Sequence, residues 1–529
     1  FRSVRYALVI FAVVAASVVT AMGGMGWFGI PIMSATAVVP VMVLTVAVAD
    51  AVHLLVGYRF ARVHGHNAEE AGRTSLAQNL MPVIITSVTT GFGFLALNFS
   101  DAPPYRYVGN MAALGTVAAL FFTFALLPAL MTWLPAPKRD TAFAGGGLAA
   151  AIAGYSARKP SVILAVFVIL AGVAVYETGQ LKINDKFVEY FDTDVDFRKD
   201  AGFISDHLPG LYFLEFSVPA GGSGAISEPE YLANLDRFAA WLEAQPEGTH
   251  VSSLSEVMKR LSRNMHGDDP AWHRLPESRK LAAQYLLLYE MSLPFGRDLN
   301  DRIDVAKSAS RVTAVMDDLS TGEMQALKQR AEHWLDVNMP KASEAEGTGV
   351  SIIFAYLTER TMKSMAKGAA LAILAIAASL MISLGSVRLG ALSLLVNLVP
   401  VLLGFGAWAL IKGEIGLYAA AVGTTALGLI VDFAVHMIAK YRRLTSPDDP
   451  VPHRLEAVGR TVGPALVVSA VVLIAGFLTL SLSNFLINAY LGLMTALVIA
   501  IALITDLTLL PALLGVAEKR KENHAAKTC

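Results

Sequence analysis

An aspartate and a histidine stand four residues apart in an apolar stretch of this 529-residue chain, and their types and spacing could do chemistry. Residues 415–431 carry no charged side chain, and after Asp432 the apolar run continues to residue 439. Such a stretch is long enough to cross a bilayer as a helix. His436 lies about one turn beyond Asp432 and ~40° around the axis, on the same face. An acid and an imidazole in this relation can pass a proton along a helix.

The position of Asp432 is costly, which points to function. A carboxylate at membrane depth is stable only when it is neutral, paired or hydrated, and such acids mark ion or substrate pathways. Its neutral and charged states also favour different helix packings, so a proton gradient could bias the protein between them. We predict that Asp432 and His436 belong to a proton relay. Two plainer interpretations stay open, an acid that caps a neighbouring helix and a histidine held by packing.

Three further side chains are candidates for the same relay. Asp50 precedes His53 by three residues, which leaves the imidazole within ~60° of the acid on one side of a helix. Asp506 lies in the last apolar run of the chain. A structural role is the alternative for each of them. We predict Asp50, His53 and Asp506 as relay members, with protons as the coupling ion and no cofactor.

The composition excludes several classes of protein. Hydrophobic residues make up 55% of the chain and charged residues 16%, whereas a soluble domain carries about 25% charged residues. The net charge of −1 argues against a nucleic-acid partner. The one cysteine, Cys529, allows no internal disulfide and no cysteine-based metal site. The polar part of the sequence shows no nucleophile–base set and no metal-ligand spacing, so we predict neither an enzyme nor a metal centre.

Apolar runs predict ten membrane-spanning helices. The first and the last run are each long enough for two helices, with breaks expected near Gly23 and Pro31 and near Ser483. The runs are residues 6–49, 74–100, 107–137, 161–176, 368–387, 389–411, 415–439 and 461–505. Every second connection is rich in lysine and arginine, which predicts that these connections and both ends of the chain are cytoplasmic.

A charged segment separates the first five spans from the last five and is therefore expected outside the membrane, in the periplasm if the cell is Gram-negative. We predict the following boundaries: a first membrane unit at 1–137, a cytoplasmic linker at 138–158, single spans at 159–178 and 367–386, an outer domain at 179–366, a second membrane unit at 387–517 and a cytoplasmic tail at 518–529.

The outer segment alternates strand-like and helix-like patterns. The strand-like stretches are residues 211–218, 310–316 and 350–356, and the helical ones are residues 230–244 and 324–337. This order predicts an α/β domain of the split-βαβ, ferredoxin-like type. The predicted fold class is thus a mainly α membrane protein of ten helices with one extracytoplasmic α/β domain.

The two membrane units are copies of one another. Short strings recur 383 positions apart across four helices, among them AVH at 51–53 and 434–436 and LPAL at 127–130 and 510–513. Same-direction repeats in membrane proteins usually enclose a site at their shared interface. On this alignment the histidines coincide but the acids do not, because Asp432 falls opposite Ala49 and Asp50 opposite Phe433.

These features resemble the resistance-nodulation-cell division (RND) permeases, in particular the MMPL branch of predicted hydrophobe or lipid exporters, which is related to Patched. The string from Gly428 to Asp432, followed by Phe433 and His436, is similar to that branch's motif. Residues 184–200 are similar to the start of its second outer domain, and residues 505–513 to its final helix. The resemblance implies a packing role for Gly428. It also implies twelve spans and two outer domains, so this chain is expected to be a piece of a longer protein, from the third span to the last.

The resemblance implies a function as well, namely export of hydrophobic or amphiphilic, lipid-like molecules driven by the proton-motive force across the inner membrane of a bacterium. Two alternatives remain, a membrane lipid or sterol sensor of the Patched-related type and a secretion accessory similar to SecDF. The expected partners are the lipid bilayer and a hydrophobic or lipid substrate. A homo-oligomer and partners in the periplasm or outer membrane stay open.

Overall fold

The computed structural model describes residues 3–135, 146–247, 250–294, 297–316, 319–444 and 449–528, with the backbone alone at 444 and 519–528. Residues 138–145 of the predicted linker and Cys529 lie outside the described residues. The chain forms two compact units, one of residues 1–182 and 360–529 and one of residues 183–359. The first holds the apolar helices and the second a small α/β domain.

The part of the chain before the α/β domain is a series of apolar helices. They are α1 (Val4–Trp27), α2 (Val39–Val63), α3 (Ala68–Leu95), α4 (Pro103–Ala125), α5 (Leu127–Met131), α6 (Gly146–Arg158) and α7 (Pro160–Gln180). Asn67 and Glu70 form a reciprocal capping box that begins α3. The first predicted break falls at Pro31, whereas Gly23 stays inside α1 because glycine weakens a helix without ending it.

The predicted outer domain is built on a four-stranded antiparallel sheet. Its elements come after the short strand β1 (Lys182–Ile183) and are α8 (Asp196–His207), β2 (Tyr212–Pro219), α9 (Pro229–Glu243), β3 (His250–Ser252), α10 (Leu254–Met265), α11 (Arg279–Ser292), β4 (Ala309–Met316), α12 (Thr321–Asn338) and β5 (Gly347–Thr348). The sheet order is β3-β4-β2-β5, and Phe216 of β2 lies opposite Val312 of β4. Alternate side chains of β2 are buried against a core that includes Phe238 of α9. The predicted ferredoxin-like, split-βαβ arrangement is confirmed.

One predicted strand of this domain is wrong. Residues 350–356 form the beginning of a long helix, and the fourth strand is the two-residue β5 just before it. Gly349, with a φ of +128°, makes the turn between the two. A short apolar run such as this one has no periodicity that separates a strand from a buried helix, and here it continues into a membrane-spanning helix.

The remaining apolar helices follow the α/β domain, and the last four of them form the second membrane unit. Its elements are α13 (Val350–Ser383), α14 (Val387–Lys412), β6 (Glu414–Ile415), α15 (Leu417–Leu444), α16 (Val451–Thr479) and α17 (Leu486–Thr528). Within the described residues, ten helices are long and apolar enough to cross a membrane, which confirms the predicted number. The break predicted near Ser483 separates α16 from α17.

The sequence repeat is also a repeat of packing. A Cβ atom added to Gly109 of α4 would collide with the carbonyl oxygen of Phe94, and one added to Gly492 of α17 would collide with that of Phe477. These contacts are 383 positions apart, so the third and fourth helices of each unit cross in the same way. The innermost helices are α2 and α15, in which 83% and 94% of the residues of the apolar stretch are buried inside the protein. The two helices that carry four of the five predicted relay residues are thus the most enclosed spans.

The stretch predicted as a linker contains a helix that the sequence analysis did not predict. Small residues of α6 face α16, and a Cβ atom added to Gly459 would lie 2.8 Å from Ala150 Cα. This close approach joins α6 to the second membrane unit.

Candidate functional site

A buried cluster of one acid and two histidines lies between the two membrane units. Asp432 of α15 has its Oδ2 atom 3.2 Å from Nε2 of His53 in α2, in hydrogen-bond geometry. Its other oxygen, Oδ1, is 3.3 Å from Nε2 of His436, one turn along α15. The exposed fractions of the three residues are 6%, 3% and 5%, so all three are buried. The carboxylate is thus shared by one imidazole from each unit.

The two imidazole rings stack on one another across the unit interface. The ring centroids of His53 and His436 are 3.7 Å apart, and the ring planes are 12° from parallel. Because these histidines are 383 positions apart, the stack joins equivalent positions of the repeat. The sequence analysis placed both in a relay but paired His53 with Asp50 on its own helix. The structure pairs His53 with Asp432 instead, and that part of the prediction is wrong.

The other two predicted acids flank this cluster. Asp50, buried in α2, accepts a hydrogen bond of 3.3 Å from the hydroxyl of Ser87 in α3. Asp506, buried in α17, has neither carboxylate oxygen in a hydrogen bond with any described residue. Both acids are close enough to Asp432 for their charges to interact. The structure therefore brings all five predicted side chains into one region.

Gly428 lets α15 approach α3 at the level of the cluster. A Cβ atom added to Gly428 would lie 3.1 Å from Thr90 Cα, and one added to Gly93 would lie 2.8 Å from the carbonyl oxygen of Thr424. The Thr90 hydroxyl donates a 2.9 Å hydrogen bond to the carbonyl oxygen of Gly428. The geometry agrees with the packing role implied for Gly428. Sequence reasoning missed Gly93, although it recurs at Gly476 in the repeat.

A family model matches most of the chain. The model of the MMPL family matches residues 1–160 and 308–528, which include every side chain of the cluster. The chain belongs to the MMPL family. The match confirms the resemblance to RND and MMPL permeases noted in the motif around Asp432.

One curated protein and two solved structures are similar to this MMPL chain. A protein of Methanocaldococcus jannaschii, named as a membrane protein, is 22% identical over 379 residues, which cover 70% of this chain and 93% of that protein. The hedgehog release protein Disp from the water bear Hypsibius dujardini superposes with a TM-score of 0.62 at 17% identity, over 96% of this chain and 66% of that one. SecDF in its super-membrane-facing form gives 0.55 at 13% identity, over 99% and 60%. At these identities the two structures show a shared fold alone.

The stacked rings limit the charge that the MMPL cluster can hold. Two imidazolium ions about 4 Å apart repel by about 4 kcal/mol at an effective dielectric constant of about 20. Among the described residues, Asp432 is the one carboxylate within ion-pair distance of either ring. One protonated ring at a time can pair with Asp432, and the other is then neutral. A proton that arrives on one ring can therefore be transferred to the Asp432 carboxylate and from there to the other ring. Such an arrangement can carry a proton from one repeat unit to the other.

The same three side chains are a donor set that a divalent cation could accept. One ligand atom from each of His53, Asp432 and His436 lies within 4.8 Å of the others. A metal binds imidazole through the nitrogen lone pair, which lies in the plane of the ring. Because the two ring planes are stacked and nearly parallel, one ion cannot lie in both. The rings would have to rotate before one ion could bind both of them.

Replacing Asp506 tests whether this buried acid lowers the stability of the protein. Its counterpart in the repeat is Thr123, and its neighbours Thr505 and Thr508 bond their hydroxyls to carbonyls of their own helix. We expect Asp506→Thr to raise the midpoint of thermal unfolding, because a buried polar group without a partner costs about 1–3 kcal/mol. Thermal unfolding in detergent measures this change. An unchanged or lower midpoint would mean that the carboxyl group has a stabilising partner in the membrane.

Proposed function

We propose that this protein exports a hydrophobic or amphiphilic, lipid-like molecule and draws its energy from the proton gradient. The observation that carries the proposal is the position of Asp432, whose two carboxylate oxygens lie 3.2 and 3.3 Å from histidines of different repeat units. Membership of the MMPL family supports transport as the general activity. The lipid-like substrate is part of the proposal because it is what the motif resemblance implies.

Proton transfer in this cluster would change which helices attract one another. With His53 protonated, the ion pair with Asp432 draws α2 towards α15. When the proton moves to His436, the ion pair lies within α15 and that attraction between the units weakens. The glycine contact between α3 and α15 makes the packing sensitive to small shifts, because close-packed helices switch between discrete arrangements. The proton gradient would bias this two-state element, and the outer domain would pass substrate along in step.

The proposed orientation is based on the distribution of basic residues. Lys440, Arg442 and Arg443 end α15, and Arg59 and Arg62 end α2, so one end of the bundle is strongly basic. Basic ends face the cytoplasm, which would put the outer domain in the periplasm and both ends of the chain in the cytoplasm of a bacterial cell.

Reconstitution tests the proposed function. Purified protein in sealed vesicles should move a fluorescent phospholipid analogue when a pH gradient is imposed, and should stop when an ionophore collapses the gradient. Binding of lipid without flux would favour a lipid or sterol sensor instead. Neither binding nor flux, together with stimulated translocation of a secreted protein, would favour a secretion accessory of the SecDF type.

A further inference from the structure

A cavity of about 220 Å³ leads from the histidine pair towards the basic end of the bundle. It lies between α2, α3, α15 and α16, and His53 and His436 form its inner end. Along α15 the lining continues from His436 to Lys440 and Arg443, close to the end of the helix. Seven residues of helix span about 10 Å, so this is the distance between the histidines and the mouth of the cavity.

The lining matches the internal repeat. Every lining residue from α2 or α3 has a partner 383 positions later in α15 or α16, as His53 has His436, and Asn79 has Val462. A cavity lined in this way lies on the local two-fold axis between the units. The stacked histidines lie on the same axis, so the cavity leads to the imidazole pair.

The charges of the lining break this symmetry. Lys440 stands where the first unit has Gly57, and Arg443 where it has Phe60. Lys440 Nζ donates to Gln78 Oε1 at 3.0 Å, and Arg443 Nη1 donates to the Gln78 carbonyl oxygen at 2.9 Å. Both cations are thus held against α3 of the other unit, across the mouth of the cavity.

The charged groups near the histidines are the acids of the relay and the two cations at the mouth of the cavity. Asp432 of α15, Asp50 of α2 and Asp506 of α17 surround the relay, whereas Lys440 and Arg443 are the charged groups among the described residues that line the mouth. The lining side chains of α3 and α16 are neutral and include the polar groups of Gln78, Asn79 and Thr461. A polar cavity of this volume has room for several water molecules.

We propose that this cavity is the aqueous port through which protons leave the histidine pair to the cytoplasm, and that Lys440 and Arg443 promote their departure. Fixed positive charge on Lys440, one helical turn beyond His436, repels a proton held on that imidazole, and a few enclosed water molecules screen this repulsion less than bulk water would. The proposal rests on the proposed function, since it names the side and the direction of proton release.

Thiol labelling tests the port. In a Cys529→Ser background, Asn79→Cys and Val462→Cys place a thiol at equivalent lining positions of the two units. We expect a membrane-impermeant sulfonate thiol reagent to label both from the basic side of sealed vesicles and neither from the opposite side. Val468→Cys on the exposed face of α16 is the control and should stay unlabelled from both sides. Well-folded variants whose lining thiols are unlabelled from the basic side would overturn the proposal.

Charge removal tests the role of the cations. We expect Lys440→Gln to make export require a higher pH on the basic side, and Lys440→Arg to restore the original profile. Arg442→Gln is the matched control, because Arg442 bonds the Leu384 carbonyl oxygen and does not line the cavity. An unchanged profile in Lys440→Gln would overturn the role of the charge. Labelling of the thiols needs no transport, so a labelled port without export would count against the proposed function alone.

Discussion

Replacing Asp432 by asparagine is expected to reduce gradient-driven export to the level of protein-free vesicles while the protein stays folded. Asparagine has nearly the same shape and can still accept a hydrogen bond from His53. It has no charge and takes up no proton, so the two histidines lose the group that their proton transfer requires. Initial rates of transport under an imposed pH gradient measure the effect.

The control for this variant is Asp194→Asn, which removes an exposed acid of the outer domain and should transport at the normal rate. Matching elution profiles and unfolding midpoints would establish that Asp432→Asn is folded. Normal export by a folded Asp432→Asn protein would reject the relay.

The second large effect is expected from Gly93→Val in α3. A Cβ atom at Gly93 would lie 2.8 Å from the Thr424 carbonyl oxygen and 3.0 Å from Gly428 Cα, and both are backbone atoms that cannot rotate away. Overpacking of this kind costs about 1–3 kcal/mol and sometimes more. The helices α3 and α15 must separate, and the hydrogen bond from Thr90 to Gly428 lengthens with them. The midpoint of thermal unfolding should fall, and export should be lost.

Gly91→Val is the matched control, since a Cβ atom at Gly91 meets nothing within 4 Å. The two substitutions change helix propensity equally, so the difference between their unfolding midpoints isolates the contact with α15. Equal midpoints would show that the α3–α15 crossing is not close in the membrane.

Much of the site could be predicted because its signals are local. His436 lies beside Asp432 because four residues make about one helical turn, and the structure places it there. The number of spans can be read from the lengths of apolar runs, and the duplication from strings at a constant offset. These properties depend on neighbouring residues or on simple alignment of the chain with itself.

The pairing of His53 could not be predicted in the same way. His53 and Asp50 share one side of α2, but side-chain direction and helix packing decide which group an imidazole meets. Here the packing of the two units turns His53 towards Asp432 and its equivalent His436. The repeat held a usable signal, because equivalent histidines on the innermost helices of two related units must meet if they face the axis between them.

The wrong prediction of a strand at 350–356 also arose because the local sequence does not determine the structure. Its residues suit a strand or a membrane helix equally well, and the choice depends on the apolar residues that come after them in the chain. The helix α6 was not predicted because its alanine and glycine residues form no stripe of large apolar side chains. Small residues of this kind are what a close contact between helices requires.

The central claim is that proton movement through the Asp432 cluster is coupled to export, and proton flux during transport tests it most directly. A pH-sensitive dye trapped in vesicles, on the side that faces the basic end of the bundle, would report protons arriving as substrate leaves. We predict acidification that depends on substrate and is absent in Asp432→Asn. Export by the wild-type protein with no accompanying proton movement would contradict the claim.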